Sequence, residues 1–232
     1  MKLGKSTNKN PKCDEPGTKR IVIVDDHPLF RKGLEELIRS GGSFEVCGEA
    51  GNAPEAMDVI RKVEPNLAIV DISLPGANGI ELIKSIGAEF PKLPILVLSM
   101  HDESLYALRA LRAGAKGYVM KHEAMAKVVH AIHEVFSGRP YLSPAMAAQV
   151  IMKFAHGTSE GKTDPVSKLS DRELEILELI GKGNDVGQIA KLLHLSPKTV
   201  ETHRAHLKEK LNLKNAREVA RFALQWLSAR GG

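Results

Sequence analysis

From Ile21 onward, short uninterrupted apolar runs alternate with segments in which apolar residues recur every three or four positions. The runs have the length of strands and lie at 21–24, 44–46, 67–70, 95–98 and 117–120. The segments between them have the periodicity of helices. Strands that are apolar throughout and alternate with helices are typical of a parallel sheet covered on both faces. The pattern therefore predicts an α/β domain with a five-stranded parallel sheet.

The apolar face of each helical segment predicts which side packs against the sheet. In the fourth helical segment the recurring apolar residues are Leu105, Leu108 and Leu111. A further helix is predicted over 143–154. It is followed by a polar stretch, 156–165, with almost nothing to bury, which predicts a flexible linker.

The remainder of the chain has a helical pattern throughout. Each of its four helices begins with a residue suited to capping, namely Ser170, Asp185, Ser196 and Asn215. Pro197, directly after the third cap, suits the first position of a helix. We divide the chain into a basic, disordered tail (1–19), an α/β domain (20–139), a linker (140–168) and a small all-α domain (169–232).

Composition narrows the setting of the protein. Hydrophobic residues make up 43% of the chain, which is ordinary for a globular protein. No apolar run approaches the roughly 18 residues of a membrane span, and the Lys-rich N-terminus lacks the apolar core of a signal peptide. Two cysteines form neither a disulfide framework nor a metal-binding pattern. These features predict a cytoplasmic protein without membrane association. The net charge of +5 is concentrated at the ends, with six basic and two acidic residues in 1–20.

Five polar residues follow strands at one edge of the predicted sheet: Asp25, Asp26, Asp71, Ser99 and Lys121. The carboxyl ends of parallel strands meet at a crevice where ligands bind, so we expect these side chains to converge. Three close carboxylates repel one another, and a hard divalent cation with oxygen ligands relieves that repulsion. The cluster predicts a Mg²⁺ site at which a carboxylate accepts a phosphoryl group, with Ser99 and Lys121 holding its oxygens.

Residues 21–138 resemble a response-regulator receiver domain, which has a flavodoxin-like fold. The resemblance is carried by Val24-Asp25-Asp26-His27, Asp71-Ile72-Ser73-Leu74-Pro75-Gly76, Ser99 and Gly117-Tyr118-Val119-Met120-Lys121. It implies that Asp71 is the phosphoacceptor and that Asp25, Asp26 and the backbone carbonyl of Ser73 complete the Mg²⁺ site. It also implies that Ser99 and Tyr118 form a switch pair that reports phosphorylation to the opposite surface.

One position departs from the receiver pattern. His122 follows Lys121, where many receivers have a proline and a cis peptide bond. A cis bond before a residue other than proline costs roughly 2.5–4 kcal/mol. Either the cis bond persists here, held by the geometry of the phosphoryl site, or the loop relaxes to trans when no phosphoryl group is bound.

The C-terminal domain resembles the LuxR-type helix-turn-helix. The matching motifs are Leu169-Ser170-Asp171-Arg172-Glu173, Gln188-Ile189-Ala190, Ser196-Pro197-Lys198-Thr199-Val200-Glu201-Thr202-His203-Arg204 and Lys210-Leu211. In the third helix, Val200, His203, Leu207 and Leu211 are expected to face the core. The resemblance implies that Glu201, Thr202 and Ala205 face the bases. It further implies that Lys198, Thr199, Arg204 and Lys208 contact the DNA backbone.

Two details of this domain modify the picture. Asp185-Val186-Gly187 replaces the polar sequence usual before the scaffold helix, so a phosphate contact expected there is in doubt. His203 and His206 carry no argument for a metal site, and His203 is interpreted as a semi-buried packing residue.

Together the two resemblances place the chain with the NarL/FixJ response regulators. They imply a transcriptional regulator rather than an enzyme, with a sensor histidine kinase as phosphodonor, double-stranded DNA as target and a homodimer as the phosphorylated form. We also hypothesise that the unphosphorylated receiver covers the recognition helix. Two alternatives remain at this stage. One is an aspartate-nucleophile phosphatase, which typically has a second Asp where this chain has Ser73. The other is a quorum sensor, whose aromatic-lined pocket the 4% aromatic content argues against.

Overall fold

The computed structural model describes residues 17–155 and 165–229. Its N-terminal domain contains a five-stranded sheet in the order β2-β1-β3-β6-β7, with every neighbouring pair parallel. The strands are β1 (Lys19–Val24), β2 (Phe44–Ala50), β3 (Leu67–Val70), β6 (Ile95–Ser99) and β7 (Gly117–Met120). The predicted parallel sheet is confirmed, in the flavodoxin-like order.

Helices cover both faces of this sheet, and its strands are therefore buried on both sides. They are α1 (Pro28–Ser40), α2 (Ala53–Val63), α3 (Gly79–Glu89), α4 (Glu103–Ala113) and α5 (Ala124–Phe136). Two apolar clusters form the core, one on each face of the sheet: Val22 and Val70 belong to one, Ile21 and Ile69 to the other. Alternate side chains of one strand therefore stabilise opposite layers.

A short hairpin between β3 and α3 was absent from the pattern of apolar runs. It pairs β4 (Ser73–Leu74) with β5 (Ala77–Asn78) in an antiparallel arrangement. The turn includes Gly76, whose φ of +72° lies in the left-handed region that favours glycine. Two-residue strands are too short to show a period, so the sequence carried no signal for them.

The leucines of α4 are not its most buried residues. Its buried residues are Tyr106, Ala107 and Ala110, whereas Leu105 and Leu108 are only partly buried. This side of α4 packs against α3 and β7 of the same domain. Tyr106, which is completely buried, also donates its hydroxyl to Glu178 of the C-terminal domain.

The helix predicted over 143–154 is present as α6 (Pro144–Ala155). Most of the polar linker that follows it, and most of the N-terminal tail, lie outside the described residues. None of the helices described is long and apolar enough to cross a membrane. Every peptide bond described is trans, including Lys121–His122, so this structure has the relaxed alternative at that position.

The C-terminal domain consists of α7 (Asp171–Gly181), α8 (Val186–Leu192), α9 (Pro197–Lys210) and α10 (Ala216–Ser228). All four predicted capping residues accept a hydrogen bond from a backbone N–H of the first helical turn. Ser170 and Asp185 each form a complete capping box. The central helix, α7, packs against both α9 and α10. The predicted all-α domain is confirmed.

Candidate functional site

Two carboxylates and a lysine meet at the carboxyl edge of the sheet. β1 and β3 are neighbours with Val24 opposite Val70, so Asp25 and Asp71 leave the sheet side by side. Lys121, directly after β7, places its Nζ 2.6 Å from an Oδ2 of each carboxylate. Both aspartates are only 2% exposed and Lys121 is 8% exposed. The predicted convergence of these three residues is present.

Burial and charge oppose one another at Asp71. Burial raises the pKa of this carboxyl group, the ammonium of Lys121 lowers it, and the nearby carboxylate of Asp25 raises it again, with a net increase above the ordinary value. Burial lowers the pKa of Lys121, but the two carboxylates more than offset this and raise it. A further cation near Asp71 would favour its ionised, nucleophilic form.

The residues present fit a hard divalent cation. One ligand atom from each of Asp25, Asp26, His27 and Asp71 lies within 4.8 Å of the others. Oδ1 of Asp26 is buried without a hydrogen-bond partner among the described residues, although His27 Nδ1 lies 2.6 Å away without hydrogen-bond geometry. A buried carboxylate oxygen without a donor is an incomplete environment that a cation completes. His27 belongs to the receiver motif in the sequence, but its place in this cluster was not predicted.

The hairpin brings Ser73 to the same edge, where its N–H donates to Asp71 Oδ1 at 3.2 Å. The hairpin leads into Gly79, which lies very close to the backbone that follows β3. A Cβ at Gly79 would lie 2.1 Å from the carbonyl oxygen of Asp71. No side chain fits there without moving that backbone, so this glycine holds the site in position.

We expect Gly79→Ala to lower the free energy of unfolding by about 1–3 kcal/mol, the usual effect of overpacking a close contact. Gly33→Ala is the matched control, because Gly33 lies on α1 where an added Cβ would meet nothing within 4 Å, and alanine there favours the helix by up to about 1 kcal/mol. Urea unfolding followed by circular dichroism measures both. Equal stability of the two variants would contradict the packing argument.

Ser99 and Tyr118, the predicted switch pair, meet at a third residue. Ser99 is fully buried at the end of β6, and its Oγ accepts the N–H of His101 at 3.1 Å. The hydroxyl of Tyr118 donates to the carbonyl of His101 at 2.7 Å. Burial raises the pKa of Tyr118 far above its ordinary value, and hydrogen bonding to Ser99 opposes that increase. The backbone of His101 therefore connects the two residues of the predicted switch pair.

The side chain of His101 continues this connection into the C-terminal domain. Its Nε2 lies 2.9 Å from the hydroxyl of Ser73, and its Nδ1 lies 3.1 Å from Glu178 Oε2 on α7. Glu175 is 3.7 Å from the same ring. Burial lowers the pKa of His101, but the two glutamates more than offset this and raise it to about 9. The imidazolium form therefore pairs with α7 at neutral pH. Sequence reasoning missed His101, because its partners on α7 lie more than seventy residues away.

Other contacts extend this domain interface along α4. The Arg109 guanidinium donates to Asp171 Oδ1 at 2.9 Å and to the carbonyls of Leu169 and Val166 at 2.8 and 3.0 Å. Tyr106 donates its hydroxyl to Glu178 at 3.2 Å. The receiver surface in contact with the C-terminal domain is thus polar, charged and directed at α7 and the segment that leads into it.

The predicted DNA-facing residues lie together on α9. The three positions expected to face bases, Glu201, Thr202 and Ala205, are all exposed. Those expected to contact the backbone are likewise accessible: Lys198, Thr199, Arg204 and Lys208. The hypothesis that the receiver covers the recognition helix is therefore wrong for this structure, because the receiver packs against α7 instead.

Comparison with known proteins agrees with this architecture. Residues 21–133 match the family model for the response regulator receiver domain, and residues 167–223 match the model for bacterial regulatory proteins of the luxR family. The oxygen regulatory protein NreC of Staphylococcus carnosus is 37% identical over 210 residues, which cover 89% of this chain and 97% of NreC. The chain is a response regulator of the NarL/FixJ family. The match over 21–133 assigns the N-terminal domain to the receiver family.

Solved structures of other response regulators share its fold. RcsB of Salmonella typhimurium superposes with a TM-score of 0.63 at 25% identity, covering 90% of this chain and 98% of RcsB. A LuxR-family two-component response regulator from Aurantimonas sp. is 38% identical with a TM-score of 0.56, covering 60% of this response regulator and 99% of the other. RcsB of Salmonella enterica serovar Typhimurium has also been solved on promoter rprA with the phosphomimetic BeF3⁻ (TM-score 0.59, 26% identity, covering 89% of this chain and 98% of that one).

Proposed function

We propose that this response regulator accepts a phosphoryl group on Asp71 from a sensor histidine kinase in the cytoplasm and then binds promoter DNA as a homodimer. The observation that carries the proposal is the buried contact of Lys121 with Asp25 and Asp71, at 2.6 Å from each. The ammonium of Lys121 is a cation held between two buried carboxylates at the edge of the sheet. A buried ion pair adds little to the stability of a protein, so phosphoryl transfer explains this arrangement better than a purely structural role does. We also propose that the tail, the receiver domain, the linker and the DNA-binding domain meet at 19/20, 139/140 and 168/169.

In the transfer step, a carboxylate oxygen of Asp71 attacks phosphorus. The bond from phosphorus to the kinase histidine breaks, and that nitrogen keeps the electron pair. Lys121 Nζ, now shared by two carboxylates, is placed to take up one phosphoryl oxygen, and Ser99 Oγ to donate to another. Asp25, Asp26, Asp71 and the carbonyl of Ser73 would hold Mg²⁺. The ion would supply positive charge that offsets the negative charge of the phosphoryl oxygens.

In the phosphorylated state the side chain of Ser99 would turn so that its hydroxyl donates to a phosphoryl oxygen, and this rotation would move Oγ away from the N–H of His101. The N–H of His101 would lose its partner, and the hydroxyl of Tyr118 would lose a fixed carbonyl. Because the same residue carries the imidazolium that pairs with Glu178, a shift of its backbone weakens the contact with α7. His101 thus links the state of Asp71 to the docking of the DNA-binding domain.

The docked arrangement opposes DNA binding without covering α9. The receiver residues Asp26, His27 and Pro75 face Lys191 and His194, which lie at the end of α8 and in the turn that follows, across a cleft of about 460 Å³. The first helix of a helix-turn-helix crosses the DNA backbone. The acidic edge of the receiver therefore occupies the space on this flank that the phosphates would need. Release of α7 removes the obstacle.

The DNA-facing residues are proposed in two groups. Glu201, Thr202 and Ala205 read base edges, and Lys198, Thr199, Arg204 and Lys208 contact the backbone. Arg204 is paired with Glu201 at 3.0 Å without DNA, so it exchanges this partner for a phosphate on binding. RcsB, solved on promoter DNA, supports a target of the same chemistry.

The experiment that tests the proposed function is phosphotransfer followed by DNA footprinting. A phosphorylated kinase should add one phosphoryl group to the full chain, seen by intact mass, and mapping by peptide sequencing should place it on Asp71. Footprints with and without the phosphodonor should differ in occupancy. Transfer to another residue, or identical occupancy in both states, would overturn the proposal.

We expect Lys198→Ala to weaken DNA binding similarly on all sequences and to reduce the slope of log affinity against log salt by about 1, because one phosphate contact is lost. Fluorescence anisotropy on operator and random duplexes across a salt series measures this slope. Lys92→Ala removes the same charge from an exposed loop of the receiver and should leave the slope unchanged. An equal slope for Lys198→Ala and the intact chain would remove Lys198 from the interface.

A further inference from the structure

Two histidines of α9 that the proposed DNA contact does not use lie beside a glutamate of α7. His203 and His206 are three residues apart and so share one side of the helix. Glu173 projects from α7, which packs against α9. One donor atom from each of these three residues lies within 4.8 Å of the other two. The glutamate is thirty residues from the nearer histidine, so only the packing of two helices assembles the group.

The carboxylate of Glu173 is ionised and has one oxygen available. Burial raises its pKa, but hydrogen bonds from Lys210 and the Ser170 backbone more than offset this and lower it. Both of those donors bind Oε2, each at 2.7 Å. Oε1 faces the other way, 3.8 Å from Nδ1 of His206. A cation at Oε1 therefore leaves the capping contact and the ion pair with Lys210 in place.

The imidazole of His203 has a ring nitrogen without a partner in the described part of the chain. Burial and the nearby charge of Arg172 lower the pKa of this ring, which favours its neutral form. Its Nδ1 is buried and has no hydrogen-bond partner within the parts of the chain that the structure describes. Buried polar atoms nearly always have a partner, so this nitrogen lacks something that a bound ion can supply.

We propose that Glu173, His203 and His206 form a site for a borderline divalent transition-metal ion, with Zn²⁺ as the expected occupant. Two imidazole nitrogens and one carboxylate oxygen are a donor set that Zn²⁺ takes in proteins, with water in the fourth position. Bonds of about 2.0–2.1 Å in a tetrahedral site place donors about 3.4 Å apart, so rotation of the side chains closes the group. The ion ties the recognition helix to α7.

The site is independent of the acidic cluster at Asp71, and the experiment must keep the two apart. The full chain is titrated with Zn²⁺ by calorimetry in excess Mg²⁺, in a His27→Gln background that removes the histidine of the other cluster. His206→Gln is the test variant, since His206 is exposed and its loss leaves the fold intact. His130→Gln, a histidine on α5 outside both clusters, is the matched control.

We expect a single Zn²⁺ site that His206→Gln weakens at least about tenfold and His130→Gln leaves unchanged. Co²⁺ should give the intense visible absorption of tetrahedral coordination in the background protein and lose it in His206→Gln. Zn²⁺ should also raise the unfolding temperature of the background protein but not that of His206→Gln. Equal Zn²⁺ affinity with and without His206, or no binding in excess Mg²⁺, would overturn the proposal.

Discussion

Asp71→Asn will fold and bind DNA at the level of the unphosphorylated chain, and no phosphodonor will raise that level. The amide has nearly the shape of the carboxylate but no charged oxygen to attack phosphorus, so the acyl phosphate cannot form. Lys121 keeps Asp25 as a partner at 2.6 Å. Because the folded state raises the pKa of Asp71, its charge opposes folding at neutral pH, and its removal should leave stability unchanged or slightly higher.

Intact mass after incubation with the phosphorylated kinase, and operator affinity by anisotropy, measure the two effects. Asp58→Asn is the control, since Asp58 is an exposed aspartate of α2 paired with Arg61 in the adjacent helical turn. It should gain a phosphoryl group and respond as the unchanged chain does. If Asp71→Asn still gained a phosphoryl group, or bound DNA as tightly as the phosphorylated protein, phosphorylation control through Asp71 would be wrong.

Arg109→Ala will raise the DNA affinity of the unphosphorylated chain at least about tenfold and leave that of the phosphorylated chain unchanged. Its guanidinium donates three hydrogen bonds to the C-terminal domain and the segment before it. Hydrogen bonds to charged groups contribute about 1.5–3 kcal/mol each, and a change of about 1.4 kcal/mol is tenfold in an equilibrium. The apparent affinity for DNA is proportional to the fraction of the chain that is in the undocked, DNA-binding form. Opening the domain interface therefore raises the apparent affinity directly.

Arg112→Ala provides the comparison, because Arg112 lies about one turn further along α4 and belongs to none of the domain contacts described above. Affinities of both variants are measured with and without the phosphodonor, and small-angle scattering reports whether the domains separate. Unphosphorylated Arg109→Ala with unchanged affinity would show that docking of α7 does not restrain DNA binding. A loss of affinity in the phosphorylated form would indicate misfolding instead.

The core of the acidic site was predictable because it depends on a local rule applied several times. Asp25, Asp71 and Lys121 each follow a strand directly, and the edge where parallel strands end is shared. Helix starts were predictable for a similar reason, since a cap and its N–H donor are separated by only two or three residues. The roles assigned to Ser73, Tyr118 and the DNA-facing residues came from resemblance, and these roles remain predictions.

Features that depend on distant residues were missed or predicted wrongly. Tyr106 of α4 donates to Glu178 of the other domain, and the side chain of His101 lies beside two glutamates there. The receiver was expected against the recognition helix and instead contacts α7, because complementary charge, not the exposed polarity of α9, selects the docking surface.

The sequence by itself determined the two folds and the carboxylates that converge at the sheet edge. Each of these follows from periodicity, capping and strand order within one domain, where neighbours in sequence impose the geometry. Only the tertiary structure decided how the domains meet and which side chains complete each cluster, from His101 at the interface to Glu173 beside the two histidines. Those contacts join residues far apart in the chain, and their free energy depends on burial that no local pattern records.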